Sequence, residues 1–173
     1  YDRLANRFRE MAFLNRGLKI AIKDERNDKK ETFHFEGGLA EFVTYLNRAK
    51  TAVHKKPIYF FHSKDDYEVE IAMQWTDSYS ETLTGYANNI NTPGGGTHIS
   101  GFKTALTRVM NAYAKENNVF KGKTTLTGDD MREGLTAIVS AKLANPQFEG
   151  QTKDKLGSSE VEGIVNSLVG EKL

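Results

Sequence analysis

The sequence contains no cysteine, which excludes a disulfide framework, a thiolate nucleophile, a zinc–thiolate centre and an iron–sulfur cluster. Nothing points to an oxidising compartment, so a cytosolic location is expected. A surplus of one charge sign is also missing. Lys and Arg number 24 against 23 Asp and Glu, a formal net charge of +1, so no global field draws the chain to DNA or to a membrane, and any such contact rests on a local patch. No apolar run approaches the roughly 20 residues of a membrane-spanning helix. The opening Tyr1-Asp2-Arg3-Leu4 lacks both an initiating Met and the apolar centre of a signal peptide. Such a start is expected of a segment taken from a longer protein. What is present is an ordinary globular mix. The chain has 173 residues, 38% hydrophobic with 15 Gly, enough for one domain with a buried core.

Periodicity predicts the elements. Leu4, Ala5, Phe8, Met11 and Ala12 share one helical face, with Arg3, Arg7 and Arg9 off it, and Asn15-Arg16-Gly17 stops the helix. Leu18, Ile20 and Ile22, then Phe33 and Phe35, alternate as the arms of a hairpin, and Leu39, Phe42, Val43 and Leu46 mark a short helix. From Pro57 the period returns to two over 58–62, 69–75 and 81–87, which predicts an antiparallel meander. After the breaker Pro93-Gly94-Gly95-Gly96, Phe102, Ala105, Leu106, Val109, Met110 and Tyr113 define a helix over 99–115. Residues 134–143 read as a buried strand, and Ser159-x-x-Glu162 as a capping box before a last helix. Strands flanked by helices argue an α+β domain with helices on one face of a mixed sheet.

Five groups of residues could carry chemistry. His34, His54, His62 and His98 lack ligand spacing and read as surface or strand histidines rather than a metal site. Thr127-Gly128-Asp129-Asp130-x-Arg132-Glu133 could place carboxylates on a cation, but Thr127 suits an N-cap and acids suit a first turn. Pro93 to His98 could cradle a phosphate through backbone N–H groups or simply join a loop to a helix; it is neither a Walker A loop nor a dinucleotide fingerprint. Opposite the apolar stripe of the following helix lie Lys103, Thr104, Thr107, Arg108, Asn111 and Lys115, with no acid from Ile99 to Lys115. That face could track a phosphate backbone, or be a solvated surface. Finally, Gln151-Thr152-Lys153-Asp154-Lys155 offers an amide donor and a compact cation on one side of a loop, and by itself is a polar loop.

Taken in order, Phe33-His34-Phe35-Glu36-Gly37-Gly38, Phe42-Val43-x-Tyr45-Leu46-Asn47, Gly95-Gly96-Thr97-His98-x-x-Gly101-Phe102, Thr127 to Leu135, and Gln151-Thr152-Lys153-x-Lys155-Leu156 resemble the transducer domain of the gyrase B family of type II DNA topoisomerases. The corresponding subunit of topoisomerase IV shares most of these motifs. The likeness covers almost the whole chain and implies one transducer domain over 1–173, with a left-handed β-α-β crossover. It also implies roles. Gln151 and Lys153 would reach the γ-phosphate of ATP held by a neighbouring domain, with Lys153 as the catalytic cation. Lys103, Arg108 and Lys115 would line a DNA cavity; the family often has Arg where this chain has Lys103.

The implied activity is that of an ATP-dependent isomerase that passes DNA strands and supercoils DNA negatively. Its implied partners are the gyrase A protein, double-stranded DNA and a second copy of gyrase B, and ATP and Mg²⁺ would serve the full enzyme. The family's Mg²⁺-binding Glu-x-x-x-Asn helix, its glycine-rich lids, its cleavage Tyr and its acidic metal centre are expected outside this chain. The piece alone is therefore expected to be inactive, with no metal site. A stand-alone nucleic-acid-binding module of the same fold is the competing expectation.

Overall fold

In the computed structural model, residues 1–122 and 124–173 are described. Helix α1 (Asp2–Leu14) is followed by an antiparallel hairpin, β1 (Lys19–Asp24) and β2 (Lys29–His34), and by helix α2 (Gly38–Leu46). The buried stripe of α1 is rotated from the expected one: Ala5, Ala12, Phe13 and Leu14 are buried while Leu4 is exposed. Aromatic stacking explains the rotation. The Phe13 ring lies between Phe35, at 3.7 Å between centroids, and Phe42, at 4.6 Å. Such offset pairs add to the apolar area that each ring buries.

The main sheet contains β3 (Ile58–Lys64), β4 (Tyr67–Trp75), β5 (Thr82–Ala87), β6 (Ile90–Asn91) and β7 (Leu135–Leu143), in the order β3-β4-β7-β5-β6. The predicted meander therefore ends at β4. Strand β7 inserts between β4 and β5, antiparallel to the first and parallel to the second. Its sequence explains this, since Leu135 to Ala141 are all buried, and a strand covered on both faces belongs in the middle of a sheet. Between β5 and β7 the chain crosses over through helix α3 (Thr97–Glu116) and the short α4 (Gly128–Arg132); α5 (Ser159–Lys172) follows.

The α+β class and the mixed sheet are as the sequence predicts, but helices cover both faces of the sheet instead of one. Val69, Ile71, Met73, Ala137 and Val139 point to Phe102, Leu106, Val161 and Val165 of α3 and α5. On the opposite face Ala72, Tyr86 and Ile138 meet Phe13, Phe42 and Val43 of α1 and α2. The strand period of two thus feeds two cores at once. A polar strut fixes the segment after α2: Asn47 Nδ2 donates to Gln74 Oε1 (3.0 Å), Thr136 Oγ1 donates to Asn47 Oδ1 (2.6 Å), and Gln74 Nε2 donates to the His54 carbonyl (2.8 Å).

Helix caps divide into one success and one shift. Thr127 and Asp130 form a reciprocal capping box, Asp130 N donating to Thr127 Oγ1 (3.2 Å) and Thr127 N to Asp130 Oδ2 (2.9 Å). The box expected at Ser159 does not form. Ser158 occupies the N-cap, and its Oγ accepts instead from the Gln147 backbone N–H at 2.9 Å, binding the start of α5 to the preceding loop. Among the described residues no helix is long and apolar enough to cross a membrane.

Candidate functional site

The segment after β7 closes on itself as a narrow loop. Glu149 N donates to Lys155 O (2.8 Å) and Gly157 N to Gln147 O (2.7 Å), so two arms are paired around a tip at 150–154. Gly150 turns the chain at φ +84°, and Lys153 is itself in the left-handed region at φ +57°. Gln151, Thr152 and Lys153 are all exposed. Among the described residues none of their side chains makes a hydrogen bond or ion pair; Lys153 Nζ only overhangs the Phe148 ring, 5.9 Å from its centroid. The neighbouring Lys155 is engaged, its Nζ 3.0 Å from Glu149 Oε2.

The returning arm lies on the glycine strip. Gly94 N donates to Asp154 O (2.9 Å), Leu156 N to Gly95 O (3.2 Å) and Thr97 N to Leu156 O (3.0 Å). A Cβ at Gly96, where φ is +131°, would collide with the Leu156 carbonyl oxygen and stand 2.5 Å from its amide nitrogen. These glycines therefore let two backbones touch, and the loop-to-helix reading of Pro93 to His98 holds: the N–H of Gly95 is also used, donating to Thr92 O (2.8 Å). One side of the strip opens into a cleft of about 860 Å³ whose wall includes Lys103, Lys155 and Glu81.

Beneath the strip His98 departs from its expected surface position. It is fully buried in the first turn of α3, with Nε2 3.0 Å from Thr92 Oγ1. The space it fills exists because β5 has Gly85 there, where a Cβ would come within 2.6 Å of His98 Nε2. Burial lowers its pKa from 6.5 to about 4, because desolvation disfavours the imidazolium. The folded state then holds a neutral ring that the unfolded chain protonates below about pH 6.5. Stability is thus complete above that value and falls as pH drops toward 4, by roughly 3 kcal/mol in all. Thermal melts from pH 7 to 4.5 are expected to show this slope, and His98→Gln to flatten it. Asp24 and Asp130, whose carboxyls are held low by Arg26 and by Thr127 respectively, lose their contributions only below that window.

The polar face of α3 is less free than its sequence suggests. Lys103 is half-buried, and Lys115 is exposed in the last turn. Arg108 donates from Nη2 to Asn166 Oδ1 of α5 (2.9 Å). Asn111 is committed to Leu126 at both ends of its amide, donating to O at 3.1 Å and accepting from N at 3.2 Å. Sequence reading missed Arg132 on the same surface. Its guanidinium lines a shallow patch with Lys103, Thr104, Thr107 and Arg108, but Glu81 Oε1 (3.2 Å) and Asp129 Oδ1 (2.8 Å) neutralise it. With Asp129 so engaged and Asp130 in the capping box, the Thr127 to Glu133 motif is a structural turn. Among the described residues no three His, Asp or Glu side chains gather as a cation site. Helix α5 does carry the Glu-x-x-x-Asn spacing, at Glu162 and Asn166, but Asn166 Oδ1 is the acceptor for Arg108. These residues do not fit Mg²⁺.

The fold that carries the Gln-Thr-Lys tip and the basic face of α3 has counterparts among known proteins. The ATP-binding domain of topoisomerase IV from Francisella tularensis superposes with a TM-score of 0.82 at 30% identity, over 98% of this chain and 46% of that one. This places the fold within the ATPase regions of type II topoisomerases. The 43K ATPase domain of Thermus thermophilus gyrase B, solved in complex with an aminocoumarin, superposes with a TM-score of 0.87 at 39% identity, again over 98% of this chain and 46% of that one. The DNA gyrase B protein of Clostridium acetobutylicum is 58% identical over 175 residues, covering all of this chain. Residues 38–173 match the DNA gyrase B family, and the chain belongs to that family. It spans 28% of the length of the Clostridium protein.

Proposed function

We propose that residues 1–173 are the transducer domain of a gyrase B protein, an ATP-dependent isomerase component that couples nucleotide turnover to DNA strand passage and negative supercoiling. The observation that carries this reading is the Gln151–Thr152–Lys153 tip. It is exposed, its cation and amide are unspent, and its base is fixed by backbone hydrogen bonds. Such a tip serves a ligand held by another domain: Lys153 meets the γ-phosphate of ATP as a compact cation, and Gln151 adds an amide donor. A fixed base removes the cost of ordering the lysine when the phosphate arrives. The nucleotide pocket and its Mg²⁺ belong to the preceding domain of the full-length protein.

The second half of the reading is the α3 face. Lys103 and Lys115 are its unpaired cations among the described residues, and Arg108, shared with a neutral amide, keeps its charge. This face forms part of the wall met by the transported DNA segment. The partners are then the gyrase A protein, double-stranded DNA and a second copy of gyrase B. Replacing the family's frequent Arg by Lys103 retains the charge and loses the bidentate fork, which suits a surface that tracks phosphates without reading sequence.

The test is a supercoiling and ATPase assay of the full-length protein with its gyrase A partner. Negative supercoiling supports gyrase; decatenation without it would assign the chain to topoisomerase IV. In the same assay Lys103→Ala is expected to leave basal ATP turnover intact and reduce its stimulation by linear DNA. The salt dependence of that stimulation should lose about one counterion in slope. Full stimulation of Lys103→Ala at every salt concentration would remove α3 from the DNA path. In hydrogen exchange without nucleotide, the backbone amides of 151–155 are expected to exchange fast, since none of them donates within the described structure, while Glu149, Leu156 and Gly157 are protected.

A further inference from the structure

The connection from α2 to β3, residues 47–57, contains neither helix nor strand and is longer than the roughly four to six residues of an ordinary connection. Around it the chain has no acid from Phe42 to Lys64, while Arg48, Lys50, Lys55, Lys56 and Lys64 bring five cations. In a chain whose net charge is +1 this is a local surplus. Arg48, Lys55 and Lys56 are exposed and Lys50 is half-buried. Among the described residues none of these four pairs with a carboxylate. The Arg48 guanidinium stands over the Tyr45 ring, 4.1 Å from its centroid, and gives one N–H to the Tyr45 carbonyl (2.8 Å).

Despite its length the loop is fastened down. Val53 N donates to Trp75 O (2.9 Å), Asp77 N to Thr51 O (2.9 Å) and Thr51 N to Asp77 Oδ1 (3.2 Å). His54 holds the centre. Its Nδ1 donates to Lys56 O (2.8 Å) and its Nε2 accepts from Trp75 N (3.0 Å), because a carbonyl can only accept and an amide N–H only donate. The strut of Thr136, Asn47 and Gln74 ends on the His54 carbonyl, and a satisfied polar network of this kind is rigid. Trp75 pairs with Leu135 at the start of β7, whereas the Lys153 tip follows Leu143 at its end. The nine residues of β7 place the two loops at opposite ends of the sheet, roughly 26 Å apart along the strand.

We infer that Arg48, Lys50, Lys55 and Lys56 form a second contact with double-stranded DNA, a phosphate-tracking loop separate from the α3 face and at the end of the sheet away from Lys153. The inference rests on the reading above that this chain works on DNA. Between the cations lie Ala49, Thr51, Ala52 and Val53, all exposed, and small enough to let a duplex approach. No exposed amide or aromatic platform stands among them, which is the composition of a surface that follows phosphates and does not read bases. A loop already held in place loses little conformational freedom on contact.

Fluorescence anisotropy of the full-length protein with a labelled DNA duplex, over a salt series, tests the loop directly. For Lys50→Gln/Lys55→Gln/Lys56→Gln the slope of log affinity against log salt is expected to flatten by about 2–3, since each phosphate contact contributes roughly 0.9. Affinity at low salt should fall by about tenfold or more. The same three positions changed to Arg keep the charge and should keep the slope. Lys19→Gln/Lys23→Gln/Lys30→Gln removes equal charge from the exposed β1–β2 hairpin and is expected to leave the slope unaltered. A wild-type slope in the loop variant, or equal flattening in the hairpin control, would overturn the proposal. Loss of binding to a polyglutamate probe with DNA binding intact would give the loop to an acidic protein partner and overturn it as well. DNA-stimulated ATP turnover of the same preparations keeps the two readings apart: its absence in the wild type would defeat the function proposed above, while a flattened slope in the loop variant would still establish the contact.

Discussion

Lys153→Ala in the full-length protein is expected to lower kcat for ATP by about 10²–10³-fold, as removing one preorganised charge stabiliser does elsewhere. KM should change little. The asymmetry follows from where the side chain stands: at the tip of a braced loop, exposed and without a partner of its own among the described residues. Truncation removes only the long contact of Nζ with the Phe148 ring, 5.9 Å from its centroid, so the folded protein should melt close to the wild-type temperature. A cation aimed at a terminal phosphate acts where charge redistributes in the transition state, and its loss therefore appears in kcat. Steady-state kinetics over an ATP series, with a thermal melt of the same preparation, measure both halves. Wild-type turnover in Lys153→Ala would end the assignment of Lys153 to the γ-phosphate.

The largest effect on stability is expected at Gly96. Its backbone sits at φ +131° and ψ −169°, a region that residues with a Cβ essentially do not occupy. An added methyl would also run into the Leu156 backbone, 2.5 Å from its amide nitrogen. Backbone strain and forced separation act together, so Gly96→Ala is expected to cost about 3 kcal/mol or more. For a domain of this size that lowers Tm by roughly 6–12 °C. Gly163→Ala is the matched control, because nothing lies within 4 Å of a Cβ at that helical position. A Gly96→Ala melt equal to the control would mean that strip and loop are not in contact.

Much of the architecture is legible because local patterns and tertiary partners agree. Phe33 lies in a hairpin arm as its alternation predicts, although that arm ends at His34 before Phe35, the apolar run at Leu135 to Leu143 reads as a buried strand, and Thr127 with Asp130 caps its helix. Other features need partners far away in the chain. Nothing local to 81–87 says that a strand some fifty residues later separates it from β4. His98 has the polarity of a surface residue; only Gly85 and Thr92, brought under it by the fold, make it interior. Asn111 sits on the polar side of α3 as its spacing predicts, yet its amide is spent on the backbone of Leu126.

The candidate site divides in the same way. The Gln-Thr-Lys tip is readable as a motif, because exposed recognition residues need no tertiary context to keep their chemistry. Its support is not. The reason for three successive glycines is a steric one at Gly96 and a close approach at Gly94, and each depends on where Asp154 and Leu156 return. Arg132 is hidden for the opposite cause. It sits in a motif whose acids suggest a cation site, while the structure uses Asp129 and Glu81 to hold the arginine in place.

The central position of β7 also governs how the polypeptide can fold as it is synthesised. Strands β3 and β4 can pair as soon as they leave the ribosome, and β5 and β6 can form their own small ladder. Neither half can join the other until Leu135–Leu143 is made, because that strand supplies the ladder on both sides. Until then β4 and β5 both present open edges, the arrangement most prone to pairing with another chain. Nascent chains halted before residue 135 should therefore be captured by holding chaperones, and chains halted beyond the last helix should be released.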